Sequence, residues 1–282
     1  MVAFARRLLT RLIYRLTRVP TPWFKDFLIR RFIAHFQVNL SEAVEPDPQR
    51  YPDFNHFFTR ALRADARPLA AGENILCCPV DGSVSQAGII TDDTLLQTKG
   101  RTFSLTQLLG GEEARALPFR DGCFVTLYLA PRDYHRIHMP LRGCLQEMVH
   151  IPGTLFSVSP LTTRVVPKLF ARNERVVTLF ATAAGPLAMV LVGAINVAAI
   201  ETIWAGAITP PLGKTIRQWR YPATGPAAIT LDRGVEMGRF NMGSTVIVLF
   251  AREAVCWDPA IYPGAGVRMG QQLGEVLAGG SH

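Results

Sequence analysis

Cysteine is scarce in this chain. Its 282 residues include five, Cys77, Cys78, Cys123, Cys144 and Cys256. The number is odd, two are adjacent, and no Cys-x-x-Cys spacing occurs. A disulfide framework or a zinc knuckle is therefore disfavoured, and a reducing compartment fits better. Acids are almost missing from the N-terminus: residues 1–36 hold one, Asp26, against eight Lys and Arg. That segment carries +7 of the formal net charge of +8, so the body is nearly neutral. No internal repeat, low-complexity tract or Gly-x-Ser-x-Gly elbow occurs, and lack of the elbow speaks against an α/β-hydrolase. Only one long stretch is free of charge, the 25 residues 176–200. By length it could cross a bilayer. Gly185-Pro186 interrupts it, and its flanks are rich in Val, Ile and Thr, which predicts two buried strands joined by a turn.

What is present starts with a basic N-terminus. On a helical wheel Phe4, Leu8, Leu9, Leu12, Ile13 and Leu16 share one broad face, with Arg7, Arg11, Arg15 and Arg18 beside it. After Pro20 and Pro22, a second helix interleaves Trp23, Phe24, Phe27, Leu28, Phe32 and Ile33 with Lys25, Arg30 and Arg31. Basic helices with Trp and Phe suit the headgroup boundary of an anionic bilayer. An ordinary surface helix packed on the domain is the plainer alternative. Arginines interrupt every apolar core that a signal peptide would need. Nucleic-acid binding would account for the charge but not for the wide apolar face.

Residues 37–50, with several acids and Pro46 and Pro48, read as a linker. The expected division is a membrane-association segment and linker over 1–50 and a catalytic domain over 51–282. Short strands dominate the latter: "ILCCPV", "SVSQAGII", "CFVTLYLA", "VVTLFAT", "AMVLVGAINVAAI", "AAITL" and "STVIVLF", punctuated by Gly, Pro and Asp. Helical signal is confined to residues 1–36, residues 53–63 and "SLTQLLG". The expected class is α+β, a mainly antiparallel, barrel- or sandwich-like β core with appended N-terminal helices.

Three places could carry chemistry. "DYHRIHMP" holds His135 and His138 after an apolar strand and the Pro131 turn. Asp133, His135 and His138 would make a weak metal pattern with no further ligand cluster. Both histidines could instead be structural, or act in general acid/base chemistry near neutral pH. Asp81-Gly82 alone is a hairpin signal. As one of a set, Asp81 could orient a histidine. Ser244, in "FNMGSTVIVLF", needs a neighbouring base to become a nucleophile. With His138 as base and Asp81 fixing its tautomer, the order is Asp, His, Ser. Gly243 has no side chain to hinder attack on its own carbonyl, which suits an N-to-O acyl shift.

Over residues 50–275 the chain resembles the pyruvoyl-dependent phosphatidylserine decarboxylases of bacteria. The resemblance runs through "FNHFFTRALR", "PVDGSVSQAG", "YLAPRDYHRIHMP", "VPKLFARNERV", "ETIWAGAITPP" and "EMGRFNMGSTVIVLF", in that order. The family's Leu-Gly-Ser-Thr becomes Met-Gly-Ser-Thr here, Met242 and Leu being close in volume. The resemblance implies self-cleavage between Gly243 and Ser244, with His138 as base oriented by Asp81. Ester formation, β-elimination and hydrolysis would leave a pyruvoyl group in place of Ser244. The products would be a β chain of 243 residues and an α chain of 39, held as a heterodimer, with room for a homodimer of these. The pyruvoyl ketone would form a Schiff base with phosphatidylserine and act as electron sink. His135, or else His138, would protonate the substrate carbon. Arg136, Arg142, Arg172 and Arg175 are expected near the lipid phosphate. No metal and no nucleic acid enter this reading. The enzyme would be peripheral on the cytoplasmic face of the cell membrane. Two rivals remain: a membrane-associated Ser-His-Asp hydrolase without self-cleavage, and a non-catalytic membrane-surface module.

Overall fold

The computed structural model describes residues 12–194, 199–209, 215–241 and 244–277. The first strands are β1 (Ile75–Cys77), β2 (Gly82–Ile89), β3 (Thr94–Thr98), β4 (Arg101–Ser104), β5 (Cys123–Leu129), β6 (Arg136–His138), β7 (Gly143–Ile151), β8 (Arg175–Thr182) and β9 (Gly185–Val192). Then follow β10 (Ile200–Thr202), β11 (Gly206–Ala207), β12 (Arg217–Arg220), β13 (Thr230–Leu231), β14 (Glu236–Phe240), β15 (Ser244–Phe250), β16 (Val255–Trp257), β17 (Gly266–Val267) and β18 (Gln272–Val276).

A nine-stranded antiparallel sheet runs in the order β12-β7-β8-β9-β15-β5-β2-β17, with β13 also on β7. Four strands form a second sheet, β11-β10-β14-β6, and three a third, β1-β18-β16. The class is α+β as the sequence predicts. The barrel-like expectation does not hold, because β12 and β17 end the large sheet without pairing to each other. All seven residues of β15 are buried between β5 and β9. A strand enclosed on both faces and both edges needs the unbroken apolar run seen there.

The charge-free stretch folds as the hairpin β8–β9, with Thr182 opposite Gly185. Gly185 turns at φ 83°, in the left-handed region that glycine enters without strain. Among the described residues no helix is long and apolar enough to cross a membrane. Of the strand expected over "AMVLVGAINVAAI", the part to Val192 lies in β9 and Ile200 belongs to the other sheet, while residues 195–198 lie outside the described residues. "AAITL" supplies only Thr230–Leu231.

Residues 12–16 are helical, and a helix runs over Pro22–Phe36. The second buries Ile29 and lays Phe32 on Phe54, Phe57 and Phe58 at 5.2–5.9 Å between ring centroids. Helix Phe54–Phe58 is shorter than the 53–63 signal. Asp53 caps it by accepting from the His56 N–H at 2.9 Å, and the chain turns at Thr59. Residues 37–50 pack against their surroundings: Ala43 bridges Leu62, Glu42 pairs with Arg67, and Lys25 donates to the Gln49 carbonyl at 2.7 Å.

Two of the connections between the large sheet and the four-stranded one frame the site. One is β5 to β6, the other β14 to β15. They lie side by side, since Ser244 faces Leu129 and the Phe240 N–H donates to the His135 carbonyl at 3.0 Å. Ser244 and His135 flank this crossing.

Candidate active site

Ser244 opens β15 and is 0% exposed. Its backbone sits in register with Leu129, but its Oγ has no hydrogen-bond partner among the described residues. A buried hydroxyl without a partner is uncommon; those of Thr126, Thr202 and Thr245 share this state, and Ser244 differs from them in following a glycine. The approach to it is fixed on both edges. Phe240 is tied to His135, and the Asn241 N–H donates to the Ala199 carbonyl at 2.9 Å. Asn241 Nδ2 donates to Glu201 Oε1 at 2.7 Å. Gly243, the other half of the expected cleavage site, lies outside the described residues, as does Met242.

His138 ends β6. Its Nδ1 lies 2.8 Å from the Gly234 carbonyl, and a carbonyl can only accept. The ring proton is therefore on Nδ1, and Nε2 carries the lone pair. Nε2 accepts from the Tyr134 hydroxyl at 3.0 Å. Burial, the largest influence, pushes the imidazole below its usual pKa, and the Gly234 bond opposes this in part. The ring is neutral at pH 7, as a base must be.

His135 is fully buried, with its ring against Phe58 at 4.2 Å. Nδ1 donates to the Asp133 carbonyl at 2.8 Å, and Nε2 has no partner among the described residues. Burial pushes it down to about 3. Nε2 thus holds no proton at neutral pH, and a donor role requires that it first accept one.

Asp81 is gripped by Arg67, at 2.9 Å from Nε and 2.5 Å from Nη2, and accepts from the Met269 N–H at 2.8 Å. The direct Asp81–His138 hydrogen bond of triad logic is not made. Gly234, not Asp81, fixes the tautomer, and the carboxylate acts on His138 through its charge, favouring the protonated ring.

The four arginines expected near a phosphate are spread out. Arg136 donates to Glu236 and to the Thr59 carbonyl, both at 2.9 Å. Arg142 pairs with Asp232 at 3.3 Å on the surface. Arg172 lies over the Phe156 ring at 4.8 Å. Arg175 is buried and donates to the carbonyls of Leu108, Asn173 and Gln107 at 2.6–2.8 Å, so its guanidinium is consumed by the fold. Tyr134, Gly234 and Arg67 are site residues that the sequence does not single out. Tyr134 stands four residues before His138 and was open to the question of what a turn would bring to the ring. Arg67 and Gly234 carry no local signal.

The profile of the phosphatidylserine decarboxylase family matches residues 54–275, and a second profile, described as PSD, matches residues 6–37. A phosphatidylserine decarboxylase proenzyme of Alkalilimnicola ehrlichii is 58% identical over 241 residues, 86% of this chain and 83% of that protein. The Nitrosococcus oceani proenzyme is 54% identical, covering 96% of this chain and 88% of its own. That of Azotobacter vinelandii is 51% identical, covering 95% and 94%. Matches of this extent define the class first, a decarboxylase and hence a carboxy-lyase. The chain belongs to the phosphatidylserine decarboxylase family.

Proposed function

We propose that this chain cleaves itself between Gly243 and Ser244 and then decarboxylates phosphatidylserine to phosphatidylethanolamine and CO₂. The observation that carries this is the Ser244 hydroxyl, buried and without a hydrogen-bond partner among the described residues, at the crossing that His135 also flanks. In the uncleaved chain the preceding peptide bond is already beside this serine, whereas an external ester would have to reach it. A serine closed off from solvent is instead suited to the peptide bond next to it.

In the self-cleavage, Ser244 Oγ attacks the Gly243 carbonyl carbon. His138 Nε2 takes the hydroxyl proton and returns it to the departing amine as the C–N bond breaks and an ester forms. Loss of the Cα proton expels the Gly243 carboxylate by β-elimination. The enamine that remains tautomerises to an imine, and water releases ammonia from it, so that Cα of the former serine becomes a ketone and its Cβ a methyl group. The site is compatible with that pyruvoyl group, because Ser244 is fully buried and, among the described residues, no hydrogen bond is broken when its Oγ leaves with the Gly243 carboxylate. When formed, the group supplies an electron sink for loss of CO₂. His135 Nε2 is the residue we assign to carry a proton to the substrate carbon, after accepting one, with His138 as second choice. Asp81, anchored by Arg67, holds a negative charge near His138.

The burial of all of β15 supports the two chains staying together after cleavage. The basic N-terminal helices support a peripheral position on an anionic bilayer, where the substrate resides. The test is release of CO₂ from carboxyl-labelled phosphatidylserine by the purified protein. Wild type is expected to release it and Ser244→Ala to lose all activity. No release by wild type, or equal release by Ser244→Ala, would overturn the reading.

A further inference from the structure

A polar cavity of about 250 Å³ borders the site, with Asp81 and Tyr134 in its wall. Four arginines also line it, and three are neutralised. Arg67 pairs with Asp81 and Glu42, Arg268 with Glu42 at 3.6 Å, and Arg132 with Asp133 at 3.9 Å. Arg60 is the exception. It is 4% exposed, and no carboxylate among the described residues lies within 4.0 Å of it. Nη2 donates to the Arg132 carbonyl at 3.0 Å and the guanidinium carbon lies 5.8 Å from the Phe57 ring centroid, while Nε and Nη1 have no hydrogen-bond partner among the described residues. Four cations against three acids leave the cavity one positive charge in excess, located on Arg60.

An unpaired buried cation is costly, and burial without a counter-charge is rare for arginine. Guanidinium N–H groups bind oxyanions strongly once water is excluded. The position relative to the reaction is fixed by one short helix. Phe58, at its end, packs on the His135 ring, and Arg60 follows two residues later. We propose that Arg60 binds an oxyanion of the substrate, namely the phosphodiester of the lipid headgroup. This rests on the phosphatidylserine reading above. The carboxylate is the poorer match, because a cation gripping the group that must leave stabilises the ground state and slows its departure. None of Arg136, Arg142, Arg172 and Arg175 lines this cavity.

The experiment uses the full chain, with Arg60→Gln and Arg60→Lys. Thermal unfolding is followed with glycerophosphoserine, inorganic phosphate or serine added, and kinetics are measured on phosphatidylserine in mixed micelles. Glycerophosphoserine is expected to raise the melting temperature of wild type and not of Arg60→Gln, and serine to have no effect. KM for phosphatidylserine should rise about tenfold or more in Arg60→Gln, and less in Arg60→Lys. In wild type alone, glycerophosphoserine should inhibit competitively, which keeps the test valid if a variant fails to fold. An unchanged KM in Arg60→Gln, a shift by serine alone, or no competition by glycerophosphoserine would overturn the proposal. Stabilisation by inorganic phosphate alone would place free phosphate in the cavity and overturn the assignment to the headgroup. Failure of the decarboxylase reading is separate: it shows as absence of CO₂ release by wild type.

Discussion

Single side chains set the protonation of this site. With Nε2 of His138 as base, His138→Gln should slow self-cleavage by about 10²–10⁴-fold, measured as loss of full-length chain with time. Because its pKa lies below 6.5, the wild-type rate should be flat from pH 8 down past 6.5 and fall only at lower pH. A midpoint at or above 6.5 would remove His138 as that base. His135 gives a stability prediction. Its folded pKa is about 3, against about 6.5 in the unfolded chain. Below pH 6.5 the unfolded state therefore binds a proton that the folded state refuses. Stability is lost as pH falls from 6.5 towards 3, at up to about 1.4 kcal/mol per unit. Urea unfolding should show this slope in wild type and a shallower one in His135→Gln.

At the scale of elements, close backbone approach decides what the sites can tolerate. A Cβ on Gly82 would lie 2.2 Å from the Tyr128 carbonyl, across the β2–β5 pairing and next to Asp81. Gly82→Ala should cost about 1–3 kcal/mol by overpacking, read from the urea midpoint. It should also slow processing by displacing Asp81. The long apolar strands were legible in the sequence, since β5, β8, β9 and β15 are runs that only an enclosed sheet would use. The helices at Glu113–Ala116, Pro160–Val165 and Leu169–Arg172 were not, being too short to establish a period. Nor was the paired crossing of β5–β6 and β14–β15, which depends on register between segments more than 100 residues apart. Asp81, His138 and Ser244 could be picked out by residue type and motif. Their partners could not, because Arg67 and Gly234 reach the site through the fold alone.

At the scale of the molecule, one surface is suited to a bilayer. Trp23 and Phe27, one helical turn apart, are 73% and 54% exposed on a helix whose opposite side packs on Phe54 and Phe57. Replacing both with Ala should weaken binding to anionic vesicles, measured by co-sedimentation, while leaving the melting temperature and self-cleavage unchanged. Removing the whole helix would instead strip Ile29 and Phe32 from the aromatic cluster and cost stability. The proposed activity depends on the state of one peptide bond in the working enzyme. Intact-mass measurement of active, purified protein tests it most directly. The expected result is two chains, one ending at Gly243 and one of 39 residues whose N-terminus is blocked and bears a ketone. A single unbroken polypeptide that retains Ser244 and still releases CO₂ would contradict it.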